Sequence, residues 1–68
     1  MMQSKIKFIA QEQGYEKPEH LSKRTNLTRS TIYNVWTGDI SNRKISTLFL
    51  IADILNVPME HLFEMVED

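Results

Sequence analysis

Apolar residues recur along this chain at α-helical spacing, in five stretches separated by short polar breaks. The predicted helices span about residues 4–13, 17–25, 28–37, 44–55 and 58–66. No stretch shows the strict apolar–polar alternation of a half-buried strand. We therefore expect an all-α fold, a compact five-helix domain that occupies residues 1–68 as one unit.

The residues at the breaks are types that begin or end helices. Pro18 suits a first helical turn, where its missing N–H costs nothing. Thr28 is a good N-cap for the third helix. Gly14 and Asn26 follow the first and second helices, and both residue types tolerate the left-handed backbone that closes a helix.

The third predicted helix has one apolar and one polar face. Ile32 and Val35 point inward, and we expect Trp36 to lie at the edge of the core beside Ile32. The polar face carries one cation, one phenol, one amide and two hydroxyls, and no carboxylate. Its residues are Arg29, Ser30, Tyr33, Asn34 and Thr37.

The fourth and fifth predicted helices supply most of the remaining core. The fourth is apolar over much of its surface, which is typical of a central helix. Its predicted stripe consists of Ile45, Leu48, Phe49, Ala52 and Leu55, widened by Ile51 and Ile54. Met59, Leu62, Phe63 and Val66 follow the same spacing in the fifth.

Charge is distributed unevenly, although the net charge is only −1. Six basic and two acidic side chains lie between residues 17 and 44. Five acidic side chains and no basic one follow between residues 45 and 68. A basic middle segment can be the electrostatic footprint of a nucleic-acid partner. An ordinary surface of mixed charge explains the same distribution equally well.

Several classes of function find no support in the residues. His20 and His61 have no cysteine or carboxylate partner at ligand spacing, so we expect no metal site. No glycine-rich phosphate loop, catalytic acid pair or nucleophile–base set occurs, so we expect no enzyme, no cofactor and no small-molecule substrate. No apolar run approaches a membrane span and no secretory signal is visible, which favours a cytoplasmic protein without membrane contact.

Residues 17–37 have the layout of a helix-turn-helix, whose second helix enters the major groove of DNA. Arg29 can pair with guanine and Asn34 with adenine through two hydrogen bonds each, while Ser30 and Tyr33 can make shorter contacts. We expect contacts to the DNA backbone from Lys17, Thr28, Thr37, Arg43 and Lys44. Each of these side chains can instead be ordinary solvated surface, and Tyr33 can cover the core edge.

Two segments carry a resemblance to a known family. Residues 20–38, HLSKRTNLTRSTIYNVWTG, and residues 48–63, LFLIADILNVPMEHLF, resemble the lambda-repressor-like regulators of Cro/CI type, the XRE family. The resemblance implies a five-helix domain that binds operator DNA, commonly as a symmetric dimer. By position, the resemblance implies that the base-reading residues are Arg29, Ser30, Tyr33 and Asn34. Thr25 and Trp36 differ from the family pattern, which usually has an apolar residue and a glutamate there.

The sequence leads to a hypothesis with an alternative. We expect a sequence-specific, DNA-binding transcriptional regulator, a repressor that binds a double-stranded operator as a homodimer. Phe63, Met65 and Val66 are candidates for the dimer contact, unless they only close the monomer core. The alternative is a protein-interaction module, such as an antitoxin-like partner, that keeps the fold without specific DNA binding.

Overall fold

The computed structural model describes residues 1–67, which form four α-helices, one 3₁₀ helix and a two-stranded sheet. In chain order the elements are β1 (Met2–Ser4), α1 (Ile6–Glu12), α2 (Pro18–Thr25), α3 (Arg29–Trp36), α4 (Ile45–Leu55), the 3₁₀ helix (Met59–Leu62) and β2 (Phe63–Met65). The expectation of a mostly helical domain is confirmed. The prediction of five α-helices in an all-α fold is wrong.

The two ends of the chain pair in the small sheet. β1 runs antiparallel to β2, with Met2 opposite Met65 and Ser4 opposite Phe63. On its other side, β1 forms a bridge at Gln3 to Asp39. The predicted fifth helix is therefore replaced by one 3₁₀ turn and a strand. Its apolar spacing fits a helix, but the hydrogen bonds that decide the structure come from residues at the opposite end of the sequence.

The predicted helix-boundary signals are confirmed by the backbone. Asn26 ends α2 in the left-handed conformation, with φ of 63°, and Gly14 follows α1 with φ of 95°. Asn56, which was not among the predicted boundary residues, ends α4 in the same way, with φ of 57°. Pro18 is the first residue of α2. Thr28 caps α3, because its side chain accepts a hydrogen bond from the Thr31 N–H at 3.2 Å.

The core lies where α2, α3 and α4 meet α1 and the 3₁₀ helix. Leu21, Ile32, Leu48 and Leu62 are fully or almost fully buried, and Trp36 joins the same cluster with 8% of its surface exposed. The placement of Trp36 at the core edge is thus confirmed. No helix within residues 1–67 is long and apolar enough to cross a membrane.

One face of α4 differs from the prediction. The buried stripe consists of Leu48, Ile51, Ala52 and Leu55. Ile45 and Phe49, which were expected in that stripe, are 62% and 63% exposed. The apolar surface of α4 is wider than the neighbouring elements can cover, so residues at its flank face solvent.

A buried serine ties the N-terminal strand to the end of α3. The Ser4 hydroxyl donates to the Val35 carbonyl, lies 3.3 Å from the Trp36 carbonyl and accepts from the Ile6 N–H. The Ser4 N–H also donates to the Gly38 carbonyl at 2.8 Å. β1 therefore holds the C-terminal end of α3 in position.

We expect Ser4→Ala to lower the free energy of unfolding by about 1–2 kcal/mol, because it leaves buried donors and acceptors without partners. Urea denaturation of the parent and the variant measures this change. Ser30→Ala is the matched control, since Ser30 is exposed on α3 and should change stability by less than about 0.5 kcal/mol. Equal stabilities for the two variants would contradict the role given to the Ser4 hydroxyl.

Candidate nucleic-acid interface

The turn between α2 and α3 is held by two side chains of α2. The Thr25 hydroxyl donates to the Leu21 carbonyl at 3.0 Å and accepts from the Leu27 N–H at 3.2 Å. The Ser22 hydroxyl donates to the Leu27 carbonyl. Thr25 is buried at a position where the resembling family usually has an apolar residue. Because its hydroxyl is fully bonded within the turn, the polar residue keeps α2 and α3 in fixed relative positions.

The first turn of α3 is exposed and free of acidic residues. The Thr28 hydroxyl bonds to the backbone and hydroxyl of Thr31, so it is engaged in capping. Arg29 and Ser30 follow with exposed side chains. The positive end of the helix dipole and the first-turn N–H groups thus accompany a cationic side chain, which is a favourable arrangement for an anion.

The structure exposes every residue that the sequence proposed for DNA contact. The four base-reading candidates, Arg29, Ser30, Tyr33 and Asn34, lie on the outer face of α3, and the five backbone candidates, Lys17, Thr28, Thr37, Arg43 and Lys44, flank it. Thr37 is the C-cap of α3, at the opposite end from Arg29, about 12 Å along the axis. Lys17 is the N-cap residue of α2.

A carboxylate from α2 lies within this surface. The Tyr33 hydroxyl donates to Glu19 Oε1 at 3.4 Å. The backbone N–H of Glu19 is the main cause that holds the pKa of Glu19 below its ordinary value. Burial opposes this effect, and the Tyr33 hydroxyl and the charges of Lys17 and Arg29 lower the pKa further. Glu19 therefore stays ionised and orients Tyr33 beside Arg29. The residues of α3 alone do not predict Glu19 at this surface, because Glu19 belongs to α2.

A second group of side chains surrounds a shallow recess of about 290 Å³ between α3 and the loop before α4. Asn34 lines it from α3, and Arg43 and Lys44 line it from the loop. Asn42 also lines it and had not been proposed. The sequence signal that could have identified Asn42 is its position in the loop directly before Arg43 and Lys44. The recess brings together one predicted base contact and two predicted backbone contacts.

The loop that carries these basic residues is ordered by Asp39. Its carboxylate accepts from the Ser41 hydroxyl and from the Ser41 N–H at 3.0 Å. These two bonds hold the pKa of Asp39 below its ordinary value. The Ile40 N–H donates to the Met2 carbonyl at 2.9 Å, which fixes the loop to β1. Arg43 and Lys44 thus extend from a braced loop beside α3.

The chemistry of the surface is that of recognition. Within residues 1–67, no three histidine, cysteine or acidic side chains gather closely enough to hold a metal ion. The outer face of α3 instead offers hydrogen-bond donors and acceptors of the kinds that read base edges, with cations on both sides. Two helices joined by a tight turn, with the second helix exposed in this way, define a helix-turn-helix DNA-binding domain.

Comparison with known families agrees with this class. The chain matches the family model of the Cro/C1-type helix-turn-helix DNA-binding domain over residues 5–68, and it belongs to that family. Searches among curated proteins and among solved structures found no match to the chain. The family membership inferred from the resemblance of residues 20–38 and 48–63 is therefore confirmed.

Proposed function

We propose that this protein is a transcriptional regulator that binds a specific DNA operator by placing α3 in the major groove. The observation that carries the proposal is the exposed outer face of α3, where Arg29 and Tyr33 lie beside α2 and Asn34 lies beside Arg43 and Lys44 of the loop before α4. In this proposal the protein binds DNA and catalyses no reaction. It acts in the cytoplasm, where the DNA that it binds is located.

The base-reading candidates and the backbone-contact candidates take different roles in this proposal. Arg29 reads a guanine through its two-pronged guanidinium, and Asn34 reads an adenine through its amide. Ser30 and Tyr33 contact neighbouring base edges. Lys17, Thr28, Thr37, Arg43 and Lys44 contact phosphates or sugars and so fix the position of α3 along the groove.

Glu19 adds a constraint on the sequence that is read. Its ionised carboxylate repels nearby phosphates, but it can accept a hydrogen bond from a cytosine amino group. Held beside Tyr33, it favours cytosine over thymine near the Tyr33 contact. The carboxylate thus lowers general affinity for DNA while it raises discrimination between sequences.

We propose further that the regulator acts as a repressor and as a homodimer. Repression requires only that a protein on an operator excludes another from the same DNA. A dimer doubles the reading surface, so two modest half-sites combine into one selective operator. Met65 and Val66 remain exposed at the C-terminal end and are available for such a contact, while Phe63 packs against the core of its own chain.

A second candidate function is supported by charge. A net charge of −1 and the Glu19 carboxylate at the reading face both disfavour contact with a polyanion. A protein-interaction module, such as an antitoxin-like partner, would tolerate both features. Binding to any duplex at low salt separates the two functions, because non-specific affinity for DNA is mainly electrostatic.

Selection from a random duplex library tests the proposal. We expect enrichment of a two-fold symmetric site with half-sites about one helical turn apart. A variant with Arg29 and Asn34 both replaced by alanine is the control, and it should enrich no such site. If the parent enriches no sequence at low salt, specific DNA binding is excluded and the interaction module is favoured.

A further inference from the structure

The small sheet has one edge that is covered and one that is open. On the outer side of β1, the Ser4 N–H donates to the Gly38 carbonyl, and the Ile40 N–H donates to the Met2 carbonyl. The segment around residues 38–40 therefore covers that edge. Within residues 1–67, β2 has no strand on its own outer side, because the sheet contains only β1 and β2 and the bridge outside it is made by β1.

Hydrogen bonds at both ends of the sheet show which backbone groups of β2 face β1. The Lys5 N–H donates to the Leu62 carbonyl at 2.7 Å, and the Val66 N–H donates to the Met1 carbonyl at 2.9 Å. Hydrogen-bonded pairs alternate along an antiparallel ladder. The even-numbered residues from 62 to 66 therefore direct their N–H and C=O groups towards β1.

Phe63 and Met65 consequently direct their N–H and C=O groups away from β1. Met65 is 68% exposed, and within residues 1–67 no backbone hydrogen bond from outside the sheet reaches it. Glu64 and Val66 are exposed on either side of it. A strand edge with N–H and C=O groups of this kind is a template on which another extended segment can pair.

The charge beside this edge indicates what kind of segment fits. Glu60, Glu64 and Glu67 are all exposed, and residues 45–68 contain no lysine or arginine. The edge of β2 is therefore uniformly acidic along its length. An acidic edge attracts a segment with basic side chains and repels one with acidic side chains.

The same charge disfavours a second copy of β2 as the added strand. In an antiparallel pair of two β2 strands that uses the outward groups of both residues, Phe63 of one copy lies opposite Met65 of the other. Glu64 then lies directly opposite Glu64, and like charges in that position destabilise the pair. The dimer contact proposed above for the side chains of Met65 and Val66 does not use this hydrogen-bonding edge.

We propose that the outer edge of β2 binds an extended, basic segment of another protein, which adds a strand to the sheet and places its basic side chains beside Glu60, Glu64 and Glu67. The site is separate from the DNA-reading face, since β1 lies between β2 and the segment that follows α3. A regulator bound to DNA through α3 can therefore hold a second protein at β2.

Nuclear magnetic resonance titration of the ¹⁵N-labelled protein at low salt tests this site. The probe is a blocked heptapeptide that alternates lysine with valine. We expect the amide resonances of residues 63–66 to shift, with a dissociation constant of about 1 mM or lower. A peptide that alternates glutamate with valine should bind at least about tenfold more weakly, because its charge matches that of the edge.

A methylated peptide separates strand addition from simple attraction of charges. Methylation of the central amide nitrogens keeps the lysine charges but removes the N–H donors that an added strand needs. This peptide should bind at least about tenfold more weakly than the unmethylated probe. The readout needs no change in the protein, so it does not depend on the folding of any variant.

Two variants of the protein test the same edge from the other side. Met65→Pro removes an outward N–H and keeps the ladder to β1, since proline is tolerated where the N–H of an edge strand faces solvent; it should weaken binding of the lysine peptide by at least about tenfold. Glu64→Lys should weaken binding by at least about fivefold. Glu16→Lys is the matched charge control, exposed in the loop between α1 and α2, and should change binding by less than about twofold. Circular dichroism confirms that each variant is folded.

Three results would overturn the proposal. The first is the absence of shifts at residues 63–66 up to about 5 mM lysine peptide, where weak pairs form. The second is equal binding of the methylated and unmethylated peptides, which would show attraction of charges alone. The third is a shift of these resonances with protein concentration and no peptide, which would show that a second copy occupies the edge. None of these measurements involves DNA, so each result leaves the proposed operator binding to its own test.

Discussion

Replacing Ile32 with alanine is expected to lower the free energy of unfolding by about 2–5 kcal/mol. Ile32 is fully buried at the contact between α2 and α3, and the smaller side chain leaves a cavity where neighbours cannot fully relax. A domain of this size has little stability to lose, since the native state of a small protein is favoured by only about 5–15 kcal/mol. We therefore expect a substantially unfolded population at moderate temperature.

Denaturation in urea measures the effect, and the chain offers a closely matched control. Ile45→Ala makes the same chemical change on α4, where the side chain is 62% exposed. At concentrations where the chain is monomeric, its stability should stay within about 0.5 kcal/mol of the parent. A loss at Ile32 no larger than that at Ile45 would show that α3 is not anchored in the core as described.

Replacing Arg29 with alanine is expected to cost about 1–3 kcal/mol of binding free energy on the selected operator, which is roughly a 5- to 150-fold loss of affinity. The loss should be confined to one base position, because the guanidinium pairs with a single guanine. On duplexes already changed at that base pair, parent and variant should bind more nearly alike. Titration of a set of single-base operator variants measures this pattern.

Lys44→Ala provides the contrast for Arg29→Ala. A residue that contacts phosphate should weaken binding to all sequences alike and reduce the dependence of log affinity on log salt by about one unit. Arg29→Ala should instead flatten the preference at one position. If Arg29→Ala weakens binding to all duplexes uniformly, Arg29 contacts the DNA backbone and other residues of α3 read the bases.

The helix-turn-helix could be predicted from sequence because local signals decide it. Pro18, Asn26 and Thr28 each fix a helix boundary through their own backbone preferences, and all three act where predicted. Ile32 and Val35 set the inner face of α3 by spacing alone. The exposure of the proposed contact residues follows from that face, since side chains opposite a buried stripe must face solvent.

Features that depend on distant residues could not be predicted in this way. The strand at Phe63–Met65 exists because Met2–Ser4 lies beside it, and nothing in the local spacing shows that pairing. Glu19 enters the reading surface from another helix for the same reason. Helical spacing predicts Phe49 as a core residue, but Phe49 is 63% exposed. How much of the apolar face of α4 is buried depends on how much of the rest of the chain packs against it.

The pairing of β1 with β2 has a consequence for how the chain reaches its final state in the cell. β1 is synthesised before the four α-helices, but its partner β2 is synthesised only after them. Residues 17–37 can assemble in the meantime from contacts close in sequence, which form quickly. The sheet that carries Ser4 beside the end of α3 is complete only after β2 has been made and pairs with β1.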